Sequence, residues 1–413
     1  MGIYGIHTTR SLLIRSCCAI AALAAILGVR AQAANRGLLG MRAAAHQSGA
    51  PLASATYDTL YRFKGSPIDG ATPIANPILF DGNLFGVTFK GGSAGYGTVF
   101  EISPSGVEKT LHNFTDNGDA ANPASALVPA NGLLYGTATS GGTCGEGAVY
   151  TIDPILGTER LIHSFGSIDG GCPFTNDGIY PYAGLLQVGT TFYGTTKVGG
   201  ANYVGTVFSI SPTGSETTLY SFGSAPGDGQ LPYGTLINVG GTLFGTTARG
   251  GLHGHGSIYA ISPAGVEHVI YSFPNDKKTG MDPYGALLNL DGVLYGTTRD
   301  GGAFGLGTIF AVTTAGAERV VHSFATTDGA NPYGNLVAHN GLLYGSTFYG
   351  GDTLGYGTIF SMTTAGRESI LHTFTGISDG AHPGGGLLST NSAIIGATEG
   401  GVGFDGSLFQ ISF

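Results

Sequence analysis

Three short markers recur seven times, in one fixed order, along this sequence. A tetrapeptide ending in phenylalanine closes at Phe63, Phe114, Phe165, Phe222, Phe273, Phe324 and Phe374. A second marker, of the type LYGTT, begins at Leu84, Leu134, Phe192, Leu243, Leu294, Leu343 and Ile394. The third, a Gly-Gly pair followed by G-[TSA]-[VIL]-[FY], begins at Gly91, Gly141, Gly199, Gly250, Gly301, Gly350 and Gly400. A period of about fifty residues marks an array of like supersecondary units, none able to bury its apolar face alone.

Residues 284–328 show what one unit holds. An apolar run reaching Leu290 meets Asp291-Gly292, a strong hairpin signal, and VLYGTT follows. After Gly301-Gly302 come GTIFAV, a turn at Thr313 to Gly316, and ERVVHSF. Each unit thus reads as four short strands, A to D, and 74 glycines against only 10% charged residues suit many strands joined by tight turns. Four strands in about fifty residues is the size of a propeller blade. The series opens with a lone D strand near Thr56–Phe63 and ends on a C strand, Ser407–Phe413. We therefore expect a seven-bladed β-propeller over residues 54–413, closed by the N-terminal strand completing the last blade, which removes both open sheet edges. An open solenoid is the alternative; it would gain nothing from this offset and would need capping units.

The motifs LYGTT…GG…GT[VI]F at 294–310 and 243–259 resemble the bacterial GloVer tandem-repeat (choice-of-anchor) exported protein family, from about Thr56 to Phe413. The resemblance implies an exported bacterial protein and attaches no chemistry to the motifs. Members often carry C-terminal surface-sorting domains; this chain ends within a strand at Phe413, so no C-terminal anchor is expected. The period also looks kelch-like, but tryptophan is absent.

The first residues read differently. Arg10 and Arg15 precede an apolar run, Cys17 to Val29, and Ala31-Gln32-Ala33 offers a small-residue cleavage site. Residues 1–33 are expected to be a signal peptide and 34–53 a flexible linker, with no membrane span, and the protein to be secreted or periplasmic. Formal net charge is −9; losing Arg10, Arg15 and Arg30 takes it to about −12, which excludes nucleic acid as a partner. Cys144 and Cys172 are the two cysteines left, and in an exported chain a disulfide is expected between them.

Propeller connections alternate in face. The A–B and C–D turns share one side, while the B–C and D–A loops, where lengths vary, share the other and should hold any binding site. Tyr182, Tyr233, Tyr284 and Tyr333 stand where four successive D–A loops lead into the innermost strand, as candidate ligand-binding residues at the channel mouth; Ile74, Ala124 and Gly384 replace them elsewhere. Tyrosine suits a glycan or protein ligand, being flat with a polar tip. Recurrence in phase also fits packing of each ring on the next blade. Asp69, Asp119, Asp177, Asp228, Asp328 and Asp379 read as loop caps rather than calcium ligands. Glu108, Glu159, Glu216, Glu267, Glu318 and Glu368 follow the C–D turn and read as solvated charges on the opposite face. His112, His163, His322 and His372 alternate with Tyr61, Tyr220 and Tyr271 at one position, which argues for packing. His253 and His255 break the pattern without an evident third metal ligand. No serine elbow, phosphate loop or HExxH helix is present.

These readings favour a monomeric, non-catalytic binding or interaction module with no cofactor and no metal. The alternatives are an extracellular carbohydrate-active hydrolase or lyase using an acid such as Asp177 or Glu146, and a structural envelope protein.

Overall fold

The computed structural model describes residues 55–166, 176–276 and 278–413. Among them every regular element is a β-strand, no helix is long and apolar enough to cross a membrane, and the strands form a seven-bladed propeller. Blade 1 sets the pattern: strand A Ile78–Phe80, B Asn83–Thr88, C Thr98–Ile102 and D Glu108–Asn113, all antiparallel. In blade 7 the strands are A Leu388–Ser389, B Ala393–Thr398 and C Ser407–Ser412, and D is Thr56–Arg62 from the start of the chain. Thr56 pairs with Ser412 and Arg62 with Ser407, so the ring closes as the strand count requires. The leader, the linker and Cys172 lie outside the described residues.

The three markers explain the stacking. The marker phenylalanine of each D strand is fully buried and meets an aromatic ring of the next blade's C strand: Phe63 on Phe100, Phe114 on Tyr150, Phe165 on Phe208, Phe222 on Tyr259, Phe273 on Phe310, Phe324 on Phe360 and Phe374 on Phe409, at centroid distances of 5.0–5.4 Å. That C-strand ring lies over the glycine of its own LYGTT segment; a Cβ on Gly86 would sit 2.4 Å from Phe100 Cζ. Each seam between blades has its own apolar cluster, including the closing one built from Phe63, Phe100, Ile102, Ala397 and Leu408. Edge-to-face ring pairs add to burial here, at about 0.5–1.5 kcal/mol each.

Strand D carries a bulge in every blade, skipping Leu60, Leu111, Ile162, Leu219, Ile270, Val321 and Leu371 in the pairing. Bulges sharpen twist. The C–D turn of the following blade packs on this site: a Cβ on Gly157 would lie 2.2 Å from the Leu111 carbonyl oxygen. On the other face, D–A and B–C segments pair with each other, as Gly70 with Gly91 and Gly280 with Gly301.

Candidate functional site

The inner strands meet at a crowded hub. A Cβ on Gly285 would stand 2.9 Å from the Gly334 carbonyl oxygen, and one on Gly334 2.5 Å from that of Gly385, so the position after each tyrosine must be small. Strand-B hydroxyls tie one blade to the next, Thr137 donating to the Ala183 carbonyl (2.8 Å), Thr246 to Gly285 (3.1 Å) and Thr297 to Gly334 (3.1 Å). Above this floor the D–A and B–C segments enclose a cavity of about 320 Å³.

Tyr182, Tyr233, Tyr284 and Tyr333 all line that cavity and are half-buried. The structure also brings their rings together: centroids are 5.5 Å apart for Tyr182–Tyr233, 4.6 Å for Tyr233–Tyr284 and 5.6 Å for Tyr284–Tyr333. The row continues through Phe348 (5.2 Å from Tyr333), which stacks on His382 at 4.9 Å. The rings therefore pack on their neighbours and face a cavity at once. Ile74, Ala124 and Gly384 take the corresponding places in the remaining blades and line the same space.

A second rim position follows the final threonine of strand B and varies from blade to blade. Lys197 sits 5.0 Å over the Tyr233 ring and Arg299 5.1 Å over that of Tyr284. Arg299 also donates to Tyr284 Oη (3.1 Å) and pairs with Asp282 at 3.0 Å, which Arg249 meets from the other side at 2.5 Å. Phe348 and Glu399 hold this position in blades 6 and 7 and line the cavity. Burial pushes Glu399 up to about 7, partly offset by Lys90. This position leaves no recurring mark in the sequence, since it holds Phe89, Thr139, Lys197, Ala248, Arg299, Phe348 and Glu399 in turn.

The seams hold a second set of polar groups. His163 Nε2 lies 3.0 Å from Asp177, His322 3.1 Å from Asp328 and His372 3.0 Å from Asp379, while Tyr61 and Tyr220 donate to Asp69 (2.6 Å) and Asp228 (2.8 Å). The aspartates cap their loops as expected, Asp69 Oδ1 accepting from the Lys64 and Gly65 backbone N–H groups. The expectation for the glutamates is corrected. They are half-buried at the seams, not solvated: Glu318 accepts from Tyr271 Oη (3.1 Å) and Glu159 from the Ala120 N–H (3.2 Å). The physical reason is the bulged, twisted D strand, which carries each C–D turn over the preceding blade and brings its glutamate to that blade's D–A loop. Burial pushes Glu159, Glu216 and Glu267 up to about 7 and Glu368 to about 8.

Three seams thereby gather metal-ligating side chains within 4.8 Å: His112, Asp119 and Glu159; His163, Asp177 and Glu216; His322, Asp328 and Glu368. Tyr61, Tyr220 and Tyr271 replace the histidine in three other seams, and in the last His372 stays while Tyr57 replaces the glutamate, which identifies the shared role as hydrogen bonding and packing between blades. His253 and His255 belong to no such group among the described residues. Asp177 is engaged by His163 and, like Glu146, is not part of the cavity wall.

Among solved structures the chain is similar to the computationally designed protein Ika8, with 12% identity over 86% of this chain and 100% of that one, at a TM-score of 0.49. An oligogalacturonate lyase from Vibrio parahaemolyticus matches with 8% identity over 87% and 97%, at 0.50. A protein described as a 6-phosphogluconolactonase by assignment, from Bacteroides fragilis, matches with 18% identity over 78% and 90%, at 0.48. At these identities the likeness concerns the fold alone. No curated protein matches the sequence. The family model of the Gloeobacter/Verrucomicrobia repeat matches residues 48–176, 174–279 and 228–409, and the chain belongs to that repeat family.

Proposed function

We propose that this protein is an exported, non-catalytic binding module that takes a glycan or protein ligand at the mouth of its central channel. The observation that carries the reading is the unbroken row of rings from Tyr182 to Phe348 around a 320 Å³ cavity. A concave, largely apolar site with a few converging polar groups is the usual form of a small-ligand pocket. Flat rings with polar tips suit the face of a sugar, which favours the glycan.

The test is a glycan array with a pull-down, using the chain and a variant with Tyr182, Tyr233, Tyr284 and Tyr333 all changed to alanine. Saturable binding without turnover that the variant loses supports the proposal; unchanged binding by a folded variant removes the mouth as the site. Product release would turn the reading to a hydrolase or lyase. Among the described residues Glu399 is the only carboxylate in the cavity wall, and a hydrolytic glycosidase needs two. Absence of any ligand would favour a structural envelope role.

Export and a Cys144–Cys172 disulfide belong to the same proposal. Cleavage after Ala33 would leave a mature chain beginning at Ala34, which N-terminal sequencing reads directly. Cys144 has a partner in the structure. A bond to Cys172 would stabilise by roughly 3–4 kcal/mol on the loop-entropy model, and a cross-linked peptide in a non-reducing digest would identify it.

A further inference from the structure

Blade 7 combines the smallest residue at the first rim position with the one acid at the second. It has Gly384 where blades 3 to 6 have tyrosine, and Glu399 where the others have Phe89, Thr139, Lys197, Ala248, Arg299 and Phe348. The two departures are coupled in space. A Cβ on Gly384 would sit 2.5 Å from Glu399 Oε1 and 3.1 Å from Phe348 Cε2, so the carboxylate stands in the place that the missing ring leaves.

The other charges at the mouth are matched. Arg249 and Arg299 share Asp282, Arg299 also meets Asp300 at 2.6 Å, and Lys197 lies on the Tyr233 ring. Glu399 is different: among the described residues no side chain hydrogen-bonds or ion-pairs with its carboxylate, although it is half-buried. Only the charge of Lys90 partly offsets the desolvation cost of this half-buried carboxylate, and a bound cation would relieve the rest. The neighbouring rings favour the same charge, since a ring face attracts cations and this protein already seats Lys197 and Arg299 on two of them. Asn76 and Asn335 on the cavity wall offer donors and acceptors to hydroxyl groups.

We infer that the mouth binds the ammonium group of an amino sugar, held by the Glu399 carboxylate between Tyr182 and Phe348, with the sugar hydroxyls directed to Asn76 and Asn335. This inference rests on the reading of the mouth as a glycan site. It narrows that reading to glycans bearing a free amine.

Isothermal titration of the mature chain at pH 6.5 tests it with three tetramers: β-1,4-linked glucosamine, its fully N-acetylated form, and cellotetraose. The expected result is at least about tenfold tighter binding of the glucosamine tetramer, a preference that falls with added salt. Glu399→Gln is expected to abolish the preference while leaving neutral binding in place, and Gly384→Ala to do the same by displacing the carboxylate. Thermal midpoints of both variants check folding. Equal or tighter binding of the neutral tetramers overturns the ammonium inference and leaves the glycan site standing, as does failure of all three when other glycans bind. Failure of every glycan overturns both.

Discussion

Tyr150 and Tyr259 occupy a position that phenylalanine fills in the other five blades, and among the described residues each buried hydroxyl has no hydrogen-bond partner. Both ring positions are fully enclosed, so the oxygen gains nothing from water. Tyr150→Phe and Tyr259→Phe should each stabilise the protein by about 1 kcal/mol, read as a higher thermal midpoint. The seam glutamates carry the pH dependence. Their folded values, about 7 to 8, lie above the ordinary 4.5, so between those limits the folded chain holds protons that the unfolded chain has released. Their contribution is full below about 4.5 and is lost as pH rises through 7 to 8. Burial lowers His112 and His372, which acts the opposite way as pH falls below 6.5. With these four seam glutamates and Glu399 raised to about 7 or 8 against two imidazoles, the urea midpoint should be lower at pH 8.5 than at pH 5.5. Changing Glu159, Glu216, Glu267 and Glu368 together to glutamine should flatten that slope.

At the scale of strands and turns, the constraint lies where one blade touches the next. Gly157 has a φ of 68°, and a Cβ there would meet the Leu111 carbonyl oxygen at 2.2 Å. Gly157→Ala combines backbone strain with a clash and should cost about 1–3 kcal/mol; a Gly132→Ala control shares the positive φ but faces open space, so comparing the two midpoints isolates the contact. These elements also show how far sequence reasoning reaches. Strand order, hairpins and closure were legible because Asp291-Gly292, the marker phenylalanines and the LYGTT segments repeat in phase. The four tyrosines at the mouth were legible for the same reason. The seam glutamates were misread because a bulge at Leu111 or Ile162 leaves no mark in composition, yet it redirects a whole strand. Glu399 was missed because its meaning comes from the space left by Gly384, two strands away in the same blade.

At the scale of the whole molecule, stability depends on closing the ring. At the seam between blades 6 and 7 the N-terminal strand brings its own chemistry: Tyr57 stands where the other D strands have glutamate, stacks on His372 at 3.8 Å and donates to the Asp379 carbonyl at 2.5 Å. Deleting residues 54–64 removes this strand and opens the last sheet, whereas deleting 34–50 touches none of it. The first deletion should lower the thermal midpoint far more than the second, and equal midpoints would refute closure as the source of stability.

Thr56 and Ser412 lie side by side at the end of the sheet where Ala393 leaves the A–B turn, whereas the tyrosine row crowns the other end. Both ends of the closing strand pair therefore leave the ring on the side away from the tyrosine row. A label joined after Phe413 would therefore start on the far side of the ring and leave the ring-lined opening free to face solution.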